Sequence, residues 1–145
     1  MLQGIDPLLT GELLAALDAM GHSDALCLAD AHFPADRVAE RLLVMAGVGT
    51  PELLQAIRTV LPLDDAPALD LMTSADGNRL PVQDQLIAAA GVAEDGIRFL
   101  DRHVFYEEAR SAYLVVRTGE TRTYGNAIVR KGVVEIMDQP RRTVG

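Results

Sequence analysis

Short apolar runs of strand length alternate along this chain with segments of helical periodicity, and this alternation limits the fold more than any other sequence feature. The clearest strand is 113–117, which reads Tyr-Leu-Val-Val-Arg. We predict further strands at 25–29, 68–73, 97–100 and 127–129, and helices at 10–20, 50–60, 82–90 and 105–112. Residues 37–46 fit either a helix or a strand. The pattern predicts an α/β protein whose helices cover both faces of one sheet, although strand order does not follow from it.

The composition is that of one domain with a hydrophobic core, which we expect to span residues 1–145. Of the 145 residues, 49% are hydrophobic, and a domain of this size buries about 70% of the surface that its unfolded chain exposes. Cys27 is the single cysteine and lies in an apolar run, so no intrachain disulfide can form. We expect it to be a buried core residue rather than a nucleophile.

The net charge and the length of the apolar runs argue against nucleic acids and membranes as partners. The formal net charge is −8, whereas nucleic-acid binding requires clustered Lys and Arg. No apolar run approaches the roughly 20 residues that cross a bilayer, and residues 1–9 lack the features of a signal peptide. We therefore expect a cytoplasmic protein with neither nucleic acid nor a membrane as partner. The chain has no tryptophan, which argues against a sugar-binding module that stacks its ligand on broad aromatic surfaces.

Polar residues flank the strand predicted at 25–29. His22 lies just before this strand and Asp30 lies just after it. The intervening residues span about 15–20 Å when extended, so the two side chains meet in one chain only if the loops fold back. They could also meet between subunits. A histidine in this position is also typical of a capping or solvated group.

Two later segments carry further candidate binding groups. Arg102 follows a predicted strand, and its planar guanidinium could bind two hydroxyl groups of a ligand. The alternative for Arg102 is an ordinary surface ion pair with Glu107 or Glu108. The Tyr-Gly-Asn sequence at 124–126 could likewise be only a turn, because Gly and Asn suit positive φ.

A metal site is the main chemical rival. The candidate ligands are His22, Asp24, Asp30, His32 and His103. No pair has the i, i+4 spacing of a zinc protease, and there is no cysteine pair, so we predict no metal site. The sequence also lacks a phosphate-binding loop and a dinucleotide fingerprint, and we predict no cofactor.

Taken together, the polar segments resemble the fucose mutarotase / ribose pyranase family. The shared motifs, in order, are Gly-Ile-Asp-Pro-Leu-Leu at 4–9, Gly-His-x-Asp at 21–24, Asp-Ala-His-Phe-Pro at 30–34, Arg-x-x-Phe-Tyr-Glu at 102–107, Thr-Gly-Glu at 118–120, Tyr-Gly-Asn at 124–126 and Lys-Gly-Val at 131–133. Ribose pyranases usually have Asp-Ala-Gly in place of the Asp-Ala-His at 30–32 and Tyr-Ala-Asn in place of the Tyr-Gly-Asn at 124–126, so the chain is more similar to the fucose branch. It departs from that branch at His103, over 35–45 and in the tail after Val134.

The resemblance implies a three-layer α/β/α fold around a central mixed sheet. It also implies ring-shaped homo-oligomers, often decamers, with active sites near subunit boundaries. By motif position, His22 corresponds to the proton donor. The implied sugar-contacting positions are Asp30, Arg102, Tyr124, Gly125 and Asn126.

These residues suit acid–base opening and closure of a sugar hemiacetal. In this hypothesis His22 protonates the ring oxygen, because its two protonation states are both accessible near neutral pH. Asp30 or Tyr124 takes the anomeric proton, and the sequence does not decide between them. The expected substrate is L-fucose or a related aldose. The alternatives are a ribose pyranase, a non-catalytic monosaccharide-binding accessory protein, and a metal-binding or structural assembly protein.

Overall fold

A computed structural model describes residues 1–136. The tail after Val134, where the sequence departs from the fucose branch, lies largely outside this range. The strands are β1 (Ala25–Ala29), β2 (Leu42–Met45), β3 (Leu69–Met72), β4 (Ile97–Leu100), β5 (Leu114–Thr118) and β6 (Ala127–Arg130). The helices are α1 (Gly11–Ala19), α2 (Ala35–Val38), α3 (Thr50–Arg58), α4 (Pro81–Ala90) and α5 (Arg102–Ser111), and Glu94–Gly96 form a 3₁₀ turn. In this part of the chain no helix has the length and apolar character that a bilayer span requires.

The six strands form one mixed sheet in the order β2-β5-β1-β6-β3-β4. β6 is antiparallel to both of its neighbours, β1 and β3. The remaining pairs, β1 with β5, β2 with β5 and β3 with β4, are parallel. The carboxyl ends of five strands and the amino end of β6 therefore meet at one edge of the sheet.

Helices cover both faces of the sheet, which confirms the three-layer α/β/α prediction. Side chains of β1 alternate between the faces: Leu26 and Leu28 pack with α1, α3 and α4, whereas Cys27 and Ala29 pack with α2 and α5. Cys27 is fully buried, as predicted, and burial raises the pKa of its thiol. This cysteine is part of the core.

Capping decides where several helices begin and end. The Thr10 hydroxyl oxygen accepts the N–H of Leu13 and caps α1. α5 begins at Arg102, not at 105 as predicted, because the Asp101 carboxylate accepts the N–H groups of His103 and Val104. The ambiguous segment 37–46 contains both structures, since the end of α2 is followed by β2. α3 ends at 58 rather than 60.

An ion-pair cluster around one buried carboxylate joins the second half of the sheet to α5. Asp70 on β3 is fully buried and accepts two 2.8 Å hydrogen bonds from the Arg98 guanidinium on β4. Arg130 on β6 lies 2.9 Å from the same carboxylate and donates to Glu108 on α5. Because the cluster connects β3, β4, β6 and α5, it holds the strands on one side of the sheet against a covering helix.

Replacing Asp70 with alanine should lower the free energy of unfolding by about 3 kcal/mol, because Arg98 loses both hydrogen bonds to this carboxylate and the nearly buried Arg130 guanidinium keeps only Glu108 as a partner. Urea titration followed by circular dichroism measures this loss. The matched control is Glu94→Ala, which breaks an exposed pair with Arg79 and should cost far less, because water and salt screen an exposed ion pair. Equal losses in the two variants would contradict a structural role for the ion-pair cluster around Asp70.

Candidate functional site

A cleft of about 280 Å³ opens at the edge where the five parallel strands end. Such carboxyl edges of open α/β sheets are where ligands usually bind. The residues that line the cleft are Asp30, His32, Phe33, Met72, Arg102, Tyr106, Thr123, Tyr124 and Asn126. Four of the residues predicted from sequence to contact substrate are thus brought together within one chain: Asp30, Arg102, Tyr124 and Asn126.

Asp30 and Asn126 form the floor of the cleft. Asp30 is only 3% exposed, and its backbone N–H donates to the Asn126 side-chain oxygen at 2.7 Å. The Asp30 carboxylate accepts the backbone N–H of His32 at 2.9 Å. Burial raises the pKa of Asp30, and the hydrogen bonds and nearby charge of His32 oppose this only in part. Asp30 therefore holds a proton more readily than an ordinary surface aspartate.

The turn at 124–126 places a strained residue beside the floor. The positive φ falls on Tyr124, at 62°, and not on Gly125 or Asn126 as their residue types suggest. Gly125 lies outside the cleft lining, and a Cβ there would come within 2.9 Å of Glu120 Cγ. The glycine is thus required by close packing, and its predicted role as a sugar contact stays a prediction. Strained backbone of this kind persists only where the surroundings impose it, and it is concentrated at functional sites.

Glu120 fixes the loop that carries this turn. Its buried carboxylate accepts hydrogen bonds of 2.9 and 3.0 Å from the Arg122 guanidinium, and these hydrogen bonds hold the pKa of Glu120 below its usual range. The Glu120 carbonyl oxygen accepts the N–H of Ala31 at 2.8 Å. The loops after β1 and β5 are therefore tied together, which keeps Asp30 and Tyr124 in one cleft.

Arg102 contributes an exposed cation to the rim. It lines the cleft as the first residue of α5. Within residues 1–136 no ion pair includes Arg102: Glu107 pairs with Arg110, and Glu108 pairs with Arg130. Arg102 therefore does not form the alternative ion pair with Glu107 or Glu108. Its guanidinium is available to a ligand.

One wall of the cleft is apolar. The rings of Phe33 and Tyr106 meet edge to face with centroids 5.3 Å apart, and Met72 at the end of β3 lies nearby. Phe33 also packs edge to face on buried Phe105, with centroids 5.9 Å apart. The cleft thus has a polar side, suited to hydroxyl groups, and an apolar side, suited to a C–H face or a methyl group.

His22 lies at the opposite edge of the sheet. It precedes β1, whereas Asp30 follows it, so the five residues of the strand separate them by about 15–20 Å. The His22 ring is 59% exposed, and its Nε2 lies 3.0 Å from Asp64 Oδ1. Within a single chain the structure does not bring His22 to the other predicted site residues.

Comparison with known proteins gives the same assignment as the motifs. Residues 3–134 match the RbsD / FucU transport protein family. The chain belongs to this family. A fucose mutarotase of Danio rerio is 42% identical over 151 residues, covering 96% of this chain and 98% of the relative. The resemblance stated from the sequence is thus confirmed.

Solved structures of relatives have the same fold. The fucose mutarotase of Streptococcus pneumoniae, solved with L-fucose, superposes with a TM-score of 0.84 at 38% identity, covering 92% of this chain and 100% of that one. RbsD of Bacillus subtilis, solved with D-ribose, gives a TM-score of 0.73 at 22% identity, covering 93% and 100%. The second likeness shows the fold alone, so the fucose branch is the nearer of the two.

Sequence reasoning gave no role in substrate binding to five residues that line the cleft, although it considered His32 as a metal ligand. They are His32, Phe33, Met72, Tyr106 and Thr123. His32, Phe33 and Tyr106 lie inside motifs shared with the family, and that was a usable signal. Met72 and Thr123 gave none, because one ends an apolar strand and the other lies in an ordinary polar loop. Within residues 1–136, no three His, Cys, Asp or Glu side chains converge as metal ligands.

The burial of Asp30 predicts a pH-dependent stability difference. Between the unfolded-state pKa and the raised folded-state pKa, the folded protein binds more protons, so the free energy of unfolding falls as the pH rises through this window. Asp30→Asn removes the titration and keeps an acceptor oxygen for the His32 N–H. As the pH rises through this window, the free energy of unfolding of Asp30→Asn minus that of wild type should increase, and above the window it should stay constant.

Urea titrations from about pH 4 to about pH 8 measure this difference. Asp36→Asn is the matched control, because it removes one carboxylate from the exposed side of α2 and leaves the cleft unchanged. A difference between wild type and Asp30→Asn that stays constant over the whole range would contradict the raised pKa.

Proposed function

We propose that this protein is a sugar mutarotase, an isomerase that interconverts the α and β anomers of L-fucose or a related aldose. The observation that carries the proposal is the convergence of Asp30, Arg102, Tyr124 and Asn126 in one cleft. Its support from comparison is a relative named fucose mutarotase at 42% identity over nearly the full length.

The size and polarity of the cleft suit one sugar ring. A volume of about 280 Å³ lies just below the range typical of drug-sized ligands, which begins near 300 Å³. Hydroxyl groups can bind the Arg102 guanidinium and the Asn126 amide. The Asn126 oxygen is already occupied by the Asp30 N–H, so its NH₂ group is the part left to donate to a ligand. A 6-deoxy sugar would place its methyl group against Phe33 and Met72.

The reaction requires two proton transfers. One group removes the proton of the anomeric hydroxyl while another protonates the ring oxygen, so that the hemiacetal opens. We assign the ring oxygen to His22 and the anomeric hydroxyl to Asp30, because the raised pKa of Asp30 makes its carboxylate a stronger base than usual. Tyr124 then serves as a hydrogen-bonding neighbour. Closure after rotation about the C1–C2 bond yields the other anomer.

The energetic demand on these residues is modest. Mutarotation already proceeds in water, and it involves neither electron transfer nor transfer of a group to a carrier. General acid–base catalysis supplies about 10²- to 10⁴-fold per group, and positioning adds to this. The proposal therefore includes no cofactor and no metal.

The position of His22 makes a second copy of the chain part of the proposal. His22 is exposed at one edge of the sheet, and the cleft lies at the other. A neighbouring subunit can supply the imidazole that a single chain cannot. A ring-shaped homo-oligomer, proposed as a decamer in the cytoplasm, repeats this contact around a closed symmetry.

Purified protein should accelerate anomer exchange of L-fucose, measured by saturation-transfer NMR. His22→Ala should lower the exchange rate at least about tenfold, because it removes the acid, while oligomer size stays unchanged in light scattering. Measuring exchange for several sugars, including D-ribose, distinguishes a fucose mutarotase from a ribose pyranase. Sugar binding without faster exchange of any sugar would instead indicate an accessory binding protein and would overturn the enzymatic proposal.

Mixed oligomers should reveal whether the site is shared. His22→Ala and Arg102→Ala subunits, each nearly inactive alone, are unfolded together and refolded. If His22 acts across a boundary, random mixing restores up to about a quarter of the sites, since an intact cleft then meets an intact imidazole. No recovery above the two separate variants would place both groups in the same subunit and contradict the shared site.

A further inference from the structure

Away from the cleft, Asp64 accepts two side-chain hydrogen bonds, one on each carboxylate oxygen. The Ser23 hydroxyl donates to Oδ2 at 2.7 Å, and His22 Nε2 lies 3.0 Å from Oδ1. His22 and Asp64 are 42 residues apart in sequence, and no motif paired them. The contact joins the turn before β1 to the segment between α3 and β3.

Both segments are held by the end of β6. The N–H of Ser23 donates to the Lys131 carbonyl oxygen at 2.8 Å, and the N–H of Asp64 donates to the Arg130 carbonyl oxygen at 2.9 Å. Ser23 has a φ of 70°, in the left-handed region that residues with a side chain rarely adopt. The backbone and hydroxyl bonds of Ser23 offset this strain, which indicates that the arrangement of the turn is imposed by its surroundings.

The chemistry of the two groups decides which ring nitrogen carries hydrogen. The hydrogen bonds from Ser23 and His22 lower the pKa of Asp64, with a smaller effect from the charge of Arg130. The other carboxylate of this turn, Asp24, is engaged by the N–H of Gly21. An ionised carboxylate only accepts hydrogen bonds, so His22 Nε2 must donate. In the neutral ring Nδ1 is then the acceptor, and within residues 1–136 no hydrogen bond engages it.

We propose that Asp64 is the positioning residue of His22, and that Nδ1 of His22 is the nitrogen that exchanges a proton with the sugar. The carboxylate holds the ring in the Nε2–H tautomer and fixes its orientation, as orienting carboxylates do for other catalytic histidines. This proposal rests on the function proposed above, in which His22 is the acid.

The proposed ring opening needs no proton donor or acceptor other than His22 and Asp30. The doubly protonated imidazole gives its Nδ1 proton to the ring oxygen as the bond between C1 and that oxygen breaks. Asp30 takes the proton of the anomeric hydroxyl, and C1 becomes a carbonyl carbon. Ring closure on the other face reverses both transfers and returns His22 and Asp30 to their starting states.

The tautomer can be read by ¹⁵N NMR without any sugar. The chain has only three histidines, so His22→Ala identifies the signals of this ring. At a pH where the ring is neutral, wild-type protein should show Nε2 protonated and Nδ1 bare. Asp64→Ala should give the averaged signals of a free imidazole and lower L-fucose exchange about tenfold, a typical loss for an orienting partner. Asp64→Asn retains one acceptor oxygen and should lose less.

Asp65→Asn is the matched control, because it removes a carboxylate from the next, exposed position of the same segment. It should change neither the tautomer nor the exchange rate, and amide spectra check that each variant is folded. An unchanged tautomer in Asp64→Ala, or a lost tautomer with unchanged exchange, would overturn the positioning role. Wild-type protein could also show the Nε2–H tautomer without accelerating the anomer exchange of any sugar. That result would overturn both the proposed function and the assignment of Nδ1 as the proton donor, but it would leave the positioning of the ring by Asp64 supported.

Discussion

One antiparallel strand among parallel neighbours is the constraint on which the candidate site depends. Because β6 runs against β1 and β3, the residue just before β6 reaches the same edge as the residue just after β1. This allows the buried N–H of Asp30 to donate to the Asn126 side chain, 96 residues away in sequence. A parallel β6 would place Asn126 at the far edge. The cleft would then lose both its floor and the acceptor of a buried N–H.

The surroundings at the two edges of the sheet shift the pKa values of their carboxylates in opposite directions. At the cleft, burial raises the pKa of Asp30, so this group can take and release a proton. At the opposite edge, hydrogen bonds from Ser23 and His22 lower the pKa of Asp64, so this group stays charged beside the imidazole. Titratable groups whose environments separate their pKa values are typical of acid–base sites. In the proposed function, a neighbouring subunit brings the two halves together.

Backbone strain marks the same two places. In residues 1–136, the non-glycine residues with positive φ are Ser23 and Tyr124. Ser23 contacts the partner of His22, and Tyr124 lines the cleft. The Ser23 hydroxyl donates a hydrogen bond to Asp64, and beside Tyr124 the Glu120 side chain packs so closely that position 125 has no room for a Cβ. Since strain of this kind lowers stability, its restriction to the two halves of the proposed site agrees with a functional role.

Local patterns determined the fold class, most strand positions and the polar residues that reach the cleft, because periodicity and turn chemistry act over a few residues. Asp30 and Arg102 were singled out as polar residues beside predicted strands, whereas the role of Asp30, Arg102, Tyr124 and Asn126 as sugar contacts came from the resemblance to the family. Only the tertiary structure decided the strand order, the partners of Asp70 and His22, and the place of Met72 in the cleft wall. These depend on which distant strands pair and in which direction, and no local spacing records that. The start of α5 at Arg102 was missed for a smaller reason, since one side chain, Asp101, caps the helix three residues earlier than the apolar period suggests.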